Sequence, residues 1–443
     1  MPATGDKTFY LETFGCQMNA HDSEKVVGTL VQQGYRQVQS VEEAGLVLYN
    51  TCSIRDKAEQ KVFNRLADYK KYRAQGKQFG VLGCVAQQEG EKIFERAPYV
   101  SLVCGSASYR NLPQMLVQLE TGQTRVTGLD DRLTDECFET EFTARTNPHR
   151  GYITIIEGCD KFCAYCVVPY TRGKERSRTS ASVLSEARQL VDLGYSEIQL
   201  LGQNVNSYRD PDGKKTFAEL LGAIAELDGI RRVRFTTSHP RDFGRDIVDV
   251  MDALPALCDH VHLPVQSGSD RVLTMMNRGH TASYYRRITE RLRSGRPDLA
   301  LSTDLIVGYP GESDEDFQAT LDLVEEICFA QAFSFKYSPR PGTPAASAAG
   351  QVAERVKSER LAALQLLLAR QQREFNEACV GRVLPVLFEK PGRHEGQLVG
   401  RTPYLQSVHV VAAAERIGEI VPALISGASA NSLSGSLAEV IAT

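Results

Sequence analysis

At 443 residues, the chain is long enough for about three domains of ordinary size. Hydrophobic residues make up 42% and charged residues 24%, which excludes a disordered chain, and no apolar run reaches the roughly 18 residues of a membrane helix. A formal charge of −4 excludes a nucleic-acid partner held by overall charge, so any such partner must be met by local patches.

Residues 1–7 lack the apolar run of a secretory leader, and the expectation is a cytoplasmic protein with no membrane partner. The eleven cysteines are too sparse for a disulfide scaffold in so long a chain. In a reducing compartment, clustered cysteines point instead to metal binding or catalysis.

In chain order, the first segment (5–120) reads as an open parallel α/β domain. Apolar runs at 8–15, 46–50, 79–83 and 99–103 predict strands, and helix-like stretches at 23–33 and 56–73 lie between them. Residues 121–150 read as a linker. Within 129–141, six acidic residues oppose only Arg132. The second segment (151–379) repeats a strand–helix unit, with strands predicted at 152–157, 197–202, 232–238, 260–265, 300–308 and 332–337. Six units predict a partial (β/α) barrel, two short of the closed eight-stranded form. A charged helix over 352–377 leads to the third segment (380–443). Its short strands at 383–389, 397–401, 407–411 and 417–425 predict a small β-barrel.

Two sets of three cysteines stand out. Cys159, Cys163 and Cys166 have C-x3-C-x2-C spacing and follow a predicted strand, so one loop can present several thiolates to one metal centre. Three ligands fall one short of a fully ligated [4Fe–4S] cluster and leave one iron open. A zinc knuckle is the alternative, with His149 or Cys137 as fourth ligand. Cys16, Cys52 and Cys84 are far apart in sequence, but each sits just past a predicted strand. In a parallel sheet all three fall at the carboxyl edge, where ligands bind. Three buried cysteines packed as small hydrophobes are the bland alternative. Cys104 also ends a predicted strand.

The run from Gly158 to Cys166, continuing through Val167-Val168-Pro169-Tyr170-Thr171-Arg172-Gly173-Lys174, resembles the radical S-adenosylmethionine signature of the methylthiotransferases. Within them it is closest to the tRNA 2-methylthio-N6-dimethylallyladenosine synthases. Phe14-Gly15-Cys16-Gln17-Met18-Asn19, Asn50-Thr51-Cys52-Ser53-Ile54-Arg55 and Gly83-Cys84-Val85-Ala86 resemble the amino-terminal domain of the same family. Gly400-Arg401-Thr402 and Asn431-Ser432-Leu433-Ser434-Gly435 resemble a TRAM domain, a small β-barrel associated with RNA.

This resemblance implies two [4Fe–4S] clusters. Cys159, Cys163 and Cys166 would hold the one that binds and cleaves S-adenosylmethionine. Cys16, Cys52 and Cys84 would hold an auxiliary one that presents sulfur. A 5′-deoxyadenosyl radical would abstract hydrogen from carbon 2 of an N6-isopentenyladenosine beside the tRNA anticodon (position 37), and a second S-adenosylmethionine would supply methyl. Tyr165, Gly202, Gln203, Gln266, Ser302 and Asp304 are the expected cofactor-binding residues, at strand ends as in other barrels. His239 is expected in a supporting role, and no catalytic side chain is assigned. A tRNA, an electron donor and a sulfur donor are the expected partners of a monomer. Alternatives within the family act on threonylcarbamoyladenosine or on a ribosomal-protein aspartate. A non-catalytic iron–sulfur RNA-binding redox sensor is the alternative of another class.

Two basic runs are expected to meet phosphate. Residues 55–77 hold eight basic and three acidic residues, and 170–178 adds Arg172, Lys174, Arg176 and Arg178. Residues 380–443 carry no net charge.

Overall fold

The structure is a computed structural model that describes residues 7–53, 56–129 and 143–438. The acidic block of the predicted linker and Cys137 lie outside the described residues.

The first domain is a parallel sheet of β1 (Thr8–Phe14), β2 (Arg36–Gln37), β3 (Leu46–Thr51), β4 (Gln78–Gly83), β5 (Leu102–Gly105) and β6 (Val126–Gly128). Its order is β2-β1-β3-β4-β5-β6. The central strands are buried on both faces, as the unbroken apolar run Leu46-Val47-Leu48-Tyr49 requires. One face packs Leu48, Leu82 and Leu102 under the helix Leu112–Glu120, and the other packs Val47, Val81 and Val103 with Val62 and Leu66. The four predicted strands are present. The edge strands β2 and β6 were not anticipated. They have two and three residues, and β6 comes from the stretch read as linker.

The second domain contains β7 (Arg150–Thr154), β8 (Ile156–Glu157), β9 (Arg176–Ser177), β10 (Glu197–Leu201), β11 (Arg232–Phe235), β12 (His260–His262), β13 (Ala300–Val307) and β14 (Gln331–Lys336). Six of them form the barrel wall as two parallel sheets, β11-β10-β7 and β12-β13-β14. A single bridge, Val233 to Leu257, joins the two. The wall ends at β7 and β14, so the barrel is open between them. Helices cover its outside and bury the main apolar core, with Ile198, Leu200, Val233, Val261 and Leu301 on the strands.

The third domain is a closed barrel of β15 (Val383–Pro391), β16 (Gln397–Arg401), β17 (Ser407–Val411), β18 (Ile420–Ala428) and β19 (Ser432–Leu437). The unexpected fifth strand, β19, closes it by pairing parallel to β17. Two arginines dock this barrel. Arg232 donates to Arg401 O at 3.0 Å and Pro385 O at 2.6 Å, and Arg234 donates to Pro403 O at 2.6 Å and Thr402 O at 2.8 Å. Both arginines also face the buried Glu197. Glu197 and Arg232 open β10 and β11 and Arg234 lies two residues further on, so the small barrel sits under the amino ends of the large barrel's strands. Arg150, first in β7, adds an ion pair with Glu389 at 3.3 Å. Among the described residues, no helix is long and apolar enough to cross a membrane.

Candidate functional site

Cys16, Cys52 and Cys84 meet at one sheet edge because β1, β3 and β4 are neighbours in register. Phe14 lies opposite Thr51, and Thr51 opposite Gly83. Cys52 follows β3 directly. Cys84 opens the helix Cys84–Glu89, and Cys16 precedes the helix Gln17–Gln32. Glycines make the approach possible. A Cβ on Gly15 would lie 2.5 Å from Cys52 Cβ, and one on Gly83 (φ +89°) would lie 2.4 Å from Asn50 Oδ1. Asn50 is the buried strut of this edge. It donates to Asn19 O and Ser23 Oγ and accepts from Tyr109 Oη at 3.1 Å. The Cys16 thiol is held down at about 6, first by its hydrogen bond with Cys52, and the Arg172 charge assists against the upward push of burial.

Arg172 comes from the second domain. It is 5% exposed and pairs at 2.5 Å with Asp22, which is 1% exposed on the helix Gln17–Gln32. Ser106 Oγ donates to Thr171 O nearby. The segment that follows Cys166 therefore fastens the two cysteine-bearing domains together.

The second set lies on the loop after β8. Gly158 (φ +77°) turns the chain so tightly that a Cβ there would fall 2.0 Å from Lys174 O. Burial pushes the Cys159 thiol up to about 11 and the Cys166 thiol up to about 12. Arg278 lies against this loop. Its Nη1 is 3.6 Å from Cys163 Sγ and 3.5 Å from Tyr165 Oη, and Nη2 donates to Pro264 O at 2.6 Å. Arg278 is 5% exposed, and among the described residues no carboxylate pairs with it. Arg278 Nε, His239 Nε2 and His280 Nε2 are buried without a hydrogen-bond partner. A buried cation without a counter-charge is costly, and an anionic group against the loop would relieve it. Sequence reasoning missed Arg278. It lies more than a hundred residues from the cysteines it faces, and no local pattern marks it.

The expected cofactor rim is spread over several roles. Gln203 Oε1 accepts from Gly158 N at 2.6 Å and so braces the start of the cysteine loop. Gly202 leaves room for Ile156, whose Cγ2 would lie 2.3 Å from an added Cβ. Gln266 (φ +75°) bridges through its backbone to Asp304 and Ile306. Ser302 Oγ is taken up by His262 Nδ1 at 2.8 Å and His260 Nε2 at 3.2 Å. The Asp304 carboxylate is partly exposed, 3.6 Å from His262 Nε2. Tyr165 packs with Ile306 and Met275 on a small apolar cluster. His239 is buried with its pKa well below the ordinary range, first through burial and then through Arg278, and its Nδ1 accepts from Arg241 N at 3.2 Å.

One expectation is overturned. Three arginines of the 170–178 run do not present themselves to phosphate. Arg172, Arg176 and Arg178 are 5–6% exposed and pair with Asp22, Glu157 and Glu186. Lys77 is likewise buried, donating to Glu42 O and Ala44 O. Lys70, Lys71 and Arg73 remain exposed on the short helix Lys70–Gln75. Cys104 packs in the core opposite Leu82, short of the sheet edge.

The residues suit iron–sulfur clusters better than zinc. His149, a candidate fourth zinc ligand, lies against Gly418 of the small barrel. A four-iron cluster takes each thiolate on a different iron and suits a wider set of sulfurs. The glycine-lined approaches at both sets and the uncompensated Arg278 fit a bulky anionic group.

The description Uncharacterized protein family UPF0004 matches residues 8–105, Radical SAM superfamily matches 153–324, and TRAM domain matches 377–438. The fold resembles the radical S-adenosylmethionine methyltransferase TsrM from Kitasatospora setae, with a TM-score of 0.56 at 15% identity over 87% of this chain and 78% of that one. It also resembles the cobalamin-dependent S-adenosylmethionine radical enzyme OxsB, with a TM-score of 0.53 at 12% identity over 82% of this chain and 56% of that one. These matches define a three-domain radical S-adenosylmethionine enzyme. The tRNA-2-methylthio-N(6)-dimethylallyladenosine synthase of Koribacter versatilis (strain Ellin345) is 59% identical over 99% of this chain and 100% of its own length. The synthase of the same name from Solibacter usitatus (strain Ellin6076) is 56% identical over the full length of both. The chain belongs to the tRNA-2-methylthio-N(6)-dimethylallyladenosine synthase family.

Proposed function

We propose that the protein methylthiolates carbon 2 of N6-dimethylallyladenosine beside the tRNA anticodon, with S-adenosylmethionine serving both as radical source and as methyl donor. The observation that carries this reading is the pair of three-cysteine sets on two α/β domains fastened by Arg172 and Asp22, in a chain related over its full length to synthases of that name. Cys159, Cys163 and Cys166 would hold one [4Fe–4S] cluster, and Cys16, Cys52 and Cys84 another. When bound, these groups supply one-electron cleavage of S-adenosylmethionine and a sulfur for transfer.

The chain's own residues bind, orient and exclude water. Gln203 holds the entry of the cysteine loop through Gly158 N, and Arg278 sets positive charge against Cys163. Arg172 brings positive charge to the Cys16 set while its pairing with Asp22 keeps the domains in register. Asp304, the partly exposed acid of the rim, lies on the inner face of β13 and suits a hydroxyl-bearing ligand. Ser302 acts through His262, which it orients. Tyr165, Gly202, Gln203, Gln266, Ser302 and Asp304 remain the proposed cofactor rim. An electron donor and a sulfur donor complete the reaction, which we assign to a cytoplasmic monomer.

Nucleoside mass spectrometry tests the reading. tRNA from cells lacking the gene should lose the 2-methylthio nucleoside and accumulate N6-dimethylallyladenosine, and the restored gene should reverse both changes. An unchanged nucleoside profile, or accumulation of threonylcarbamoyladenosine instead, would overturn it.

A further inference from the structure

The edge strand β14 carries two exposed aromatic rings that none of the preceding roles uses. Phe333 is 39% exposed and Phe335 is 38% exposed, although the other large apolar side chains on the described strands of the large barrel are not exposed to this degree. The two are separated by one residue, so they share a face of the strand. Register shows which face. Phe333 lies opposite Asp304, and Phe335 opposite Ile306, across a parallel ladder. Ile306 and Tyr165 of the cysteine loop pack against the same apolar cluster, and the Phe333 ring meets the His262 ring edge-on at 6.1 Å. Lys336, on the alternate face, reaches Glu354 of the covering helix instead. The two phenylalanines therefore look into the barrel, beside the rim, at the side where the wall ends.

We infer that Phe333 and Phe335 form the subsite that receives the apolar N6 substituent of the target adenine, and that they select a prenylated base over an unmodified one. This rests on the proposed substrate. An adenine presented for chemistry at carbon 2 must leave its stack, and unstacked bases are received by aromatic and apolar side chains. The ledge is continuous with the partly exposed Asp304 and with Tyr165, so a base entering through the open side brings its edge toward the cysteine loop. A five-carbon branched group on N6 then needs an apolar wall. No charged side chain interrupts β14 on this face, since Gln331, Phe333 and Phe335 are its members. A polar N6 substituent would gain nothing from two phenyl rings and would lose its hydration.

The test uses the reconstituted holoenzyme and two anticodon stem-loop RNAs, identical except that one carries N6-dimethylallyladenosine and the other adenosine. Binding is read by fluorescence anisotropy and product formation by mass spectrometry. The wild-type protein should prefer the prenylated RNA by about tenfold or more, the scale on which an apolar pocket discriminates a small apolar group. The double variant Phe333→Ala, Phe335→Ala should bind both RNAs nearly alike, and the loss should fall on the prenylated RNA. Circular dichroism and iron content report folding. Should the alanine variant misfold, Phe333→Ser and Phe335→Ser are examined singly, each expected to lower the preference. A variant that keeps the wild-type preference overturns the subsite. So does one that loses both RNAs equally, because that marks a general packing role. Absence of any preference in the wild-type protein would instead count against the proposed substrate itself.

Discussion

Cys52 and Cys163 sit in different domains and in different electrostatic surroundings, which lets their roles be separated. Cys52 is 1% exposed beside Cys16, whereas Cys163 faces the Arg278 guanidinium. A Cys163→Ala variant should abolish 5′-deoxyadenosine formation. A Cys52→Ala variant should still form it and fail to insert sulfur. Chromatography of the nucleosides after anaerobic turnover separates the two, and identical failure at cofactor cleavage would show that the sets do not divide the work. At this scale the cysteines were legible in the sequence, because strand ends and short spacings can be read locally. Arg278 and the Asn50 strut were not. Each acts on residues brought near only by the fold, with Asn50 reaching Tyr109 59 positions away. The misreading of Arg172, Arg176 and Arg178 has the same origin. A cluster of cations looks solvated until its acidic partners are known, and Asp22 is 150 positions from Arg172.

Among the elements, the helix Ser180–Asp192 shows how buried charge ties loops to the barrel. Glu186 accepts from Arg178 Nη1 at 2.6 Å and also pairs with Arg145. Burial pushes its carboxyl up, but Arg178 and Arg145 outweigh this and hold it at about 2. Since the folded value lies below the ordinary one near 4.5, this stabilisation is complete above that pH and is lost as pH falls toward 2. Glu186→Gln should cost on the order of 1–3 kcal/mol at neutral pH and flatten the acid limb of a denaturation series between those values. The short helix Lys70–Gln75 offers the exposed cations that the Arg172 run does not. Replacing Lys70, Lys71 and Arg73 with glutamine should weaken tRNA binding and lower the salt slope by about 0.7–0.9 for each phosphate left unneutralised. An unchanged slope would return this helix to a merely solvated face. Most strands were legible from apolar runs. The edge strands β2 and β6 and the barrel-closing β19 were not, because two or three residues, or the Ser- and Gly-rich run Ser432–Leu437, give no such run.

For the whole molecule, iron content is the most direct measure. Anaerobic reconstitution should give about eight irons per chain, and replacing Cys159, Cys163 and Cys166 together with alanine should leave about four. Stoichiometric zinc, or full iron in the variant, would contradict the two-cluster assignment. The three-domain order was visible in the sequence as a change of period from strand–helix units to short strands. The docking of the third domain was not, because Arg232 and Arg234 read as ordinary members of a barrel strand until their carbonyl partners are seen.

That docking turns the molecule into a ruler. The small barrel is fixed beneath the amino ends of the strands, while the cysteine loop lies toward their carboxyl ends. β13 alone, with eight residues, puts about 25 Å between the two levels. One nucleotide cannot touch both. Any RNA engaging them together must extend through several successive nucleotides. The length of stem on the RNA, as well as the identity of the base, then becomes a measured quantity.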